Sequence, residues 1–349
     1  MPMRMLSIAR RAAMTLRPRC QHRPAGNGGT SKRTALTLPG LLFCALAFPA
    51  AADWPDKPVR IVVPAAPGGP TDIAARLLAQ HLTPRLGQNV IVENRPGAGG
   101  NIGTQAVVQA PADGYTLLMA SFSNAANPAM FPDLPYDTAR DLVAVSQVTR
   151  VPVVLTVPVN LPAQTIQDLV GLIRKGDNIT WATGGVGTSS HLIGELFLRA
   201  INGQAPVAHY RGAALANQDL IAGRVQFLFD NPQTALPLLA AGRTRALAVT
   251  TASRLADFPG VPTLAETVLP GFDVTSWHGI MVRSGTPPEI LARLGRDVAA
   301  ATRAPDAAAR WKELGVEPVG SSPAEFAAFF QKELEQWGRV VREANIKPQ

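Results

Sequence analysis

The chain has 349 residues, more than one hydrophobic core usually serves, so two lobes are expected. Hydrophobic residues make up 46% and charged residues 17%, which suits an α/β protein and excludes a disordered chain. The net charge of +8 arises in residues 1–52, which hold eight of the 33 basic residues and none of the 25 acidic ones. The remaining chain is neutral, so its charge gives no reason to expect a nucleic-acid partner.

Residues 1–52 are predicted to be an export signal. A basic pair at 32–33 precedes an apolar run at 36–48, which is shorter than the roughly 20 residues that span a bilayer. Three alanines at 50–52 then provide a small-residue cleavage site. We therefore expect cleavage near Ala52 and a mature protein in the periplasm.

Residues that commonly bind metals are few in this sequence. Both cysteines, Cys20 and Cys44, fall within the predicted signal, so the mature chain would contain no disulfide and no thiolate ligand. The histidines of the mature chain show no metal-binding spacing: His81, His191, His209 and His278. We predict no metal and no cofactor.

From residue 59 onward, short apolar segments alternate with segments of helical periodicity. The predicted strands are 59–63, 90–92, 115–120, 151–157, 179–182, 207–209, 227–229 and 245–250. The predicted helices are 73–86, 102–109, 166–175, 191–201, 288–302 and 323–344. This alternation is typical of α/β proteins, and we expect mostly parallel sheets flanked by helices.

Two segments have the character of crossings between lobes. Residues 151–157 form a long β-branched strand without a hairpin partner, and residues 272–282 lead back. A chain that crosses twice builds one lobe from its two ends and the other from its middle. We predict lobe 1 at residues 53–154 and 273–349, lobe 2 at residues 155–272, and a ligand cleft between them.

Two glycine-rich loops each join a predicted strand to a predicted helix, one in each lobe. The candidate binding residues of the first loop are Ala66, Pro67, Gly68, Gly69, Thr71 and Asp72. Those of the second loop are Thr183, Gly187, Thr188, Ser189 and His191. Glycine permits close approach of the backbone, and a helix start offers free N–H groups at the positive end of the helix dipole. Together the loops would hold a carboxylate from both sides of the cleft.

Other interpretations of these loops stay open. A single loop of this kind is equally explained as a tight turn, and the presence of two favours binding. Asp72 competes with an anion for the same N–H groups, so it either caps its helix or faces an amino group of the ligand. His191 either donates a hydrogen bond to the ligand or has a core or capping role.

Polar residues also follow other predicted strands, at the carboxyl ends where open α/β sheets bind ligands. These further candidate binding residues are Ser121, Ser123, Asn124, Arg211, Gly212 and Asp230. Arg211 is equally consistent with a solvated side chain. The glycines at 97–103 do not form a dinucleotide fingerprint, because Ile102 stands where the third glycine is needed. That loop is predicted to pack beside the first glycine-rich loop.

An enzyme is the competing class, for instance a periplasmic hydrolase with Ser189 or Ser190 as nucleophile and His191 as base. Adjacent positions on one helical turn do not point a serine and a histidine at each other, and no third catalytic group is evident. We therefore predict a binding protein and not an enzyme.

Many short motifs occur in one order between Trp54 and Lys347. They include Trp54-Pro55-Asp56-Lys57-Pro58, Pro67-Gly68-Gly69 with Asp72 and Arg76, Glu93-Asn94-Arg95-Pro96-Gly97-Ala98-Gly99-Gly100, Gly187-Thr188 with His191-Leu192, Tyr210-Arg211-Gly212, and Pro262-Thr263-Leu264-Ala265-Glu266. On these residues the chain resembles the periplasmic solute-binding proteins of tripartite tricarboxylate transporters, also called the Bug family.

The resemblance implies a type II-like periplasmic-binding-protein fold with two lobes. It also implies capture of a small carboxylate, such as a di- or tricarboxylate, an acidic amino acid or an aromatic acid. The implied partners are integral membrane permease subunits, and we expect a monomer. A sensory binding protein that presents its closed form to a membrane receptor is the alternative, since only the docking surface would differ.

The resemblance also implies which loop residues contact the ligand. They are Gly68, Gly69 and Asp72 in one lobe and Gly187, Thr188 and Ser189 in the other. One position departs from the family pattern: Ala65 stands where an aromatic residue is common. This departure implies a wider pocket or a bulkier ligand.

Overall fold

The computed structural model describes residues 54–256, 258–343 and 346; the predicted signal and its cleavage site lie outside them. The strands are β1 (Val59–Val63), β2 (Val90–Asn94), β3 (Thr116–Ser121), β4 (Leu142–Val151), β5 (Val154–Pro158), β6 (Trp181–Thr183), β7 (Val207–His209), β8 (Phe227–Asp230), β9 (Thr244–Val249), β10 (Ser276–Arg283) and β11 (Glu317–Pro318). The α-helices are α1 (Pro70–Leu86), α2 (Asn101–Val108), α3 (Phe122–Met130), α4 (Thr138–Asp141), α5 (Ile166–Lys175), α6 (Ser189–Ala200), α7 (Ala213–Ile221), α8 (Pro232–Ala240), α9 (Leu264–Thr267), α10 (Pro288–Arg303), α11 (Pro305–Glu313) and α12 (Pro323–Glu343).

The strands form two separate sheets. The first has the order β11-β4-β10-β3-β1-β2, and the second has the order β7-β6-β8-β5-β9. The first sheet takes its strands from both ends of the described chain, and the second takes them from the middle. We keep the names lobe 1 and lobe 2 for the elements around the first and second sheet. The two-lobed α/β fold predicted from the sequence is thus confirmed.

Both sheets are mixed, so the prediction of mostly parallel sheets is wrong in this detail. Strand β10 runs antiparallel to β3 and β4, and β5 runs antiparallel to β8 and β9. The reason is the double crossing: β3 ends at the gap between the lobes, whereas β10 begins there after the chain returns. A strand that enters a lobe from the gap must oppose the strands that end at it.

The predicted single strand at 151–157 is also wrong, because it is two strands in different sheets. Strand β4 ends at Val151 and β5 begins at Val154. Pro152 lies between them and has no N–H to continue a ladder. The first crossing therefore falls at this break, where the chain leaves lobe 1.

Several helices were not predicted from the sequence, because their segments contain proline or lack apolar periodicity. Helix α3 contains Pro128 and α8 contains Pro237, and proline ordinarily breaks a helix interior. Helix α7 is rich in alanine and has a weak apolar face. All three of these helices begin at the gap between the lobes.

Side chains alternate along β1 and so bury both faces of the lobe 1 sheet. Ile61 and Val63 pack with residues of α1 and α10, while Val62 packs with residues of α3 and α12. Since helices cover both faces, the open positions of this sheet are the ends of its strands.

Two helical glycines provide a matched test of this packing. Gly194 of α6 faces the buried Trp181, and a Cβ at Gly194 would overlap the indole ring. A Cβ added at Gly171 of α5 would instead lie in open space, with no atom within 4 Å. Both residues lie inside helices, so their intrinsic cost to the helix is similar.

We expect Gly194→Ala to lower the free energy of unfolding by about 1–3 kcal/mol through overpacking. Gly171→Ala should raise it by roughly 0.5–1 kcal/mol, because alanine is the better helix former. Urea unfolding of the two variants measures both effects. Equal shifts in the same direction would contradict the packing of α6 on β6.

Candidate functional site

A cavity of about 740 Å³ lies between the two sheets. Strands β1, β2 and β3 of lobe 1 are parallel to one another, as are β6, β7 and β8 of lobe 2. The segment that follows each of these six strands contributes to the cavity wall. The cavity thus lies where the carboxyl ends of parallel strands from both lobes meet, as open α/β sheets predict.

Four helices begin at the cavity without a side-chain cap. Their N-cap residues are Gly69 of α1, Thr188 of α6, Gly212 of α7 and Asn231 of α8. Gly69 and Gly212 have no side chain, and the side chains of Thr188 and Asn231 make no capping hydrogen bond. No N-cap side chain therefore competes for the first N–H groups. One helix from lobe 1 and three from lobe 2 therefore present the positive ends of their dipoles to the same space.

Asp72 holds the first glycine-rich loop in shape and does not line the cavity. Its Oδ2 accepts hydrogen bonds from Gly68 N (2.9 Å) and Arg76 Nε (3.0 Å). Its Oδ1 accepts from Asn94 Nδ2 (2.9 Å), which also donates to Ala65 O at 3.1 Å. Burial opposes ionisation, yet these donors hold the pKa of Asp72 below its ordinary value. The amide of Gly68 is thereby occupied.

The second glycine-rich loop is tied by its own hydroxyl groups. Thr188 Oγ1 donates to Gly185 O at 2.6 Å and lies 2.9 Å from Ser190 Oγ, which accepts from Gly184 N at 2.9 Å. His191 lies behind the loop, where its Nδ1 accepts from Gly187 N at 3.3 Å. Burial, with a smaller contribution from nearby His209, lowers the pKa of His191 to about 4. His191 therefore supports the loop as a neutral ring.

Two further histidines line the cavity and were not predicted as site residues. His209 Nδ1 lies 3.0 Å from Thr183 Oγ1, and His278 Nδ1 lies 3.0 Å from Thr149 Oγ1. Burial lowers the pKa of both rings, that of His278 to about 4. Their only sequence signal is position: His209 ends β7, and His278 lies beside the end of β3.

With its histidines neutral, the cavity wall holds two charged side chains, Arg211 and Asp230. Arg211 follows β7, is exposed, and has no ion pair within the described part of the chain. Asp230 is buried at the end of β8, and burial raises its pKa to about 6. Among the described residues, an anion in the cavity would therefore meet one guanidinium without an ion pair and several backbone donors.

The structure brings most of the predicted site residues to the cavity wall. Those that line it are Ala66, Gly69, Thr71, Ser121, Ser123, Asn124, Thr188, Ser189, Arg211, Gly212 and Asp230. Those that do not line it are Pro67 and Gly68, which are exposed, and Asp72, Thr183, Gly187 and His191, which are buried. The loop at 96–100, interpreted as packing beside the first glycine-rich loop, also lines the cavity. Ligand contact by individual residues stays a prediction.

The lobes touch one another on the cavity's rim. A Cβ added at Gly212 would lie 3.3 Å from Ala66 Cβ, and one added at Gly99 would lie 3.0 Å from Val186 O. Leu192 of α6 is fully buried in the apolar cluster of α3 and α12. The second glycine-rich loop leads directly into α6. One helix therefore both contacts the other lobe and forms part of the cavity wall.

The arrangement of a serine hydrolase is not formed by the described residues. Ser190 Oγ accepts from Gly184 N, and His191 Nδ1 accepts from Gly187 N. Neither hydroxyl of Ser189 or Ser190 bonds to the imidazole within the described chain, so no nucleophile is paired with a base there. The described residues as a whole contain no group of three side chains that could hold a metal ion. They also contain no helix that is long and apolar enough to cross a membrane.

Known proteins share both the sequence pattern and the fold. A sequence model described as the tripartite tricarboxylate transporter family receptor matches residues 74–346. The solved R. palustris protein Rpa4515 with adipate is 36% identical and covers 85% of this chain and 100% of its own, with a TM-score of 0.82. The periplasmic binding protein BugD is 32% identical, with coverages of 84% and 100% and a TM-score of 0.81.

A third solved structure is MatC from Rhodopseudomonas palustris with bound malate. It is 32% identical and covers 82% of this chain and 100% of its own, with a TM-score of 0.78. These likenesses confirm the periplasmic binding fold that the sequence predicts. By its sequence model and its fold, this chain belongs to the receptor family of the tripartite tricarboxylate transporters.

Proposed function

We propose that this protein captures a small carboxylate in the periplasm and delivers it to the membrane subunits of a tripartite tricarboxylate transporter. The observation that carries the proposal is the convergence of four uncapped helix starts and the unpaired Arg211 on one cavity. Each supplies a donor or a positive potential to an anion. Two relatives of the same family hold adipate and malate, both of which are dicarboxylates.

Capture requires no bond-breaking chemistry, only a preference of the ligand for the closed form. The cavity wall is shared between the lobes, so a carboxylate that bridges them gains contacts that an open form lacks. A ligand shifts a conformational equilibrium only by its difference in affinity for the two states. Reopening of the lobes would then release the ligand to the permease.

Three further features of the sequence belong to this proposal. The signal would direct export to the periplasm and would be removed near Ala52. The hinges would lie at the two crossings, so that residues 53–154 and 273–349 move against residues 155–272. The small side chain of Ala65, which lines the cavity, would leave room for a ligand with a bulky or extended carbon skeleton.

Thermal unfolding of the chain from Asp53 tests the ligand class directly. The panel contains mono-, di- and tricarboxylates, acidic amino acids and aromatic acids, with neutral amides of the same acids as controls. A ligand that binds only the folded state raises the melting temperature as its concentration passes its Kd. We expect a rise with at least one acid and none with its amide. No rise with any acid would overturn the proposal.

Arg211 is expected to contribute a charge-assisted hydrogen bond to the bound carboxylate. Arg211→Gln should weaken binding of the best acid from the panel by about tenfold to a hundredfold. Arg243→Gln is the matched control, because Arg243 is exposed in the same lobe and does not line the cavity. Isothermal titration calorimetry measures both. Equal affinities for the two variants would remove Arg211 from the site.

A further inference from the structure

Asp230 is unlike the other polar residues of the cavity because it is a buried acid. It ends β8 and lines the cavity, and only 3% of its surface is exposed. No basic side chain pairs with it among the described residues; its three hydrogen-bond donors are all neutral. A buried carboxylate without a cation is costly, so its presence in the wall calls for an explanation.

The donors to Asp230 come from two helices and leave one acceptor position open. Oδ1 accepts from Asn231 N at 2.9 Å and from Thr234 Oγ1 at 2.6 Å, both at the start of α8. Oδ2 accepts from Asn217 Nδ2 of α7 at 2.7 Å and from no other described group. A carboxylate offers about four lone-pair sites, two on each oxygen, so Oδ2 keeps one in reserve.

The charge of Asp230 limits what can lie beside it. Its raised pKa of about 6 still leaves the carboxyl mostly ionised at neutral pH. A ligand carboxylate placed against it would meet a like charge in a poorly solvated wall, which disfavours both anions. Arg211 and the uncapped starts of α1, α6 and α7 offer the ligand's carboxylate a better position in the same cavity.

We propose that Asp230 selects ligands that carry a hydrogen-bond donor as well as a carboxylate, such as a hydroxyl or ammonium group. The ligand's donor fills the open position on Oδ2, while its carboxylate lies at Arg211 and the starts of α1, α6 and α7. The inference rests on the proposed function, since it assigns the chemical class of acid that the same cavity takes. The protein is then a receptor for hydroxy acids or amino acids in preference to plain diacids.

Three acids of one carbon skeleton test the selection by calorimetry at pH 7.5: succinate, malate and aspartate. Malate adds a hydroxyl to succinate, and aspartate adds an ammonium group. We expect malate or aspartate to bind the unmodified protein at least about tenfold more tightly than succinate, since a hydrogen bond to a charged group is worth that factor. In Asp230→Asn, which keeps the shape and removes the charge, the preference should fall below about threefold.

The unmodified protein alone decides the matter if the variant does not fold. Equal binding of the three acids, or binding of other panel acids but none of these, overturns the inference and leaves the proposed function standing. Failure of every acid in the wider panel overturns the proposed function as well. Arg243→Gln should retain the full preference, and a preference that persists unchanged in a folded Asp230→Asn would assign the selection to other residues.

Discussion

The function of this fold depends on one geometric constraint, the direction of its parallel strands. In each lobe three parallel strands end at the gap between the sheets, so the segments that follow them meet there. A helix that begins at this gap leaves its first N–H groups without intrahelical partners. Where the cap is a glycine, or a side chain turned to another bond, those groups remain available to a ligand. The proposed anion binding would therefore use the backbone, and the double crossing of the chain brings the two sets of strand ends face to face.

Side chains around the cavity serve mainly to keep this backbone in place. Asp72 gathers donors from Gly68, Arg76 and Asn94, and so fixes the first loop from behind the wall. His191 does the same for the second loop as a neutral acceptor. Because burial keeps His191 and His278 neutral, the wall does not gain charge through them at physiological pH. Among the described residues of the wall, the charges are those of Arg211, exposed after β7, and Asp230, buried at the end of β8, and they impose opposite demands on a ligand.

Helix α6 belongs both to the cavity wall and to the contact between the lobes. The helix begins with the second glycine-rich loop and buries Leu192 one turn later against α3 and α12 of lobe 1. A movement of α6 relative to lobe 1 would alter the cavity wall and this apolar contact together. The approach of Gly212 to Ala66 leaves little room for larger side chains at that part of the rim.

Much of this protein was determined by its sequence. Hydrophobic periodicity predicted the bounds of β1, β7 and α5 to the residue. The two glycine-rich loops predicted one part of the cavity wall in each lobe. These features are local, since they depend on side-chain period and on the backbone freedom of glycine.

The tertiary structure decided the rest. Helices α7 and α8 were missed because α7 has a weak apolar face and α8 contains proline, so neither segment shows clear helical periodicity. Whether Asp72 and His191 face the ligand or stand behind the wall, and whether Asp230 is buried without a cation, depend on neighbours from distant segments. Period and composition carry no information on such contacts, because those contacts exist only once the two sheets have been brought together.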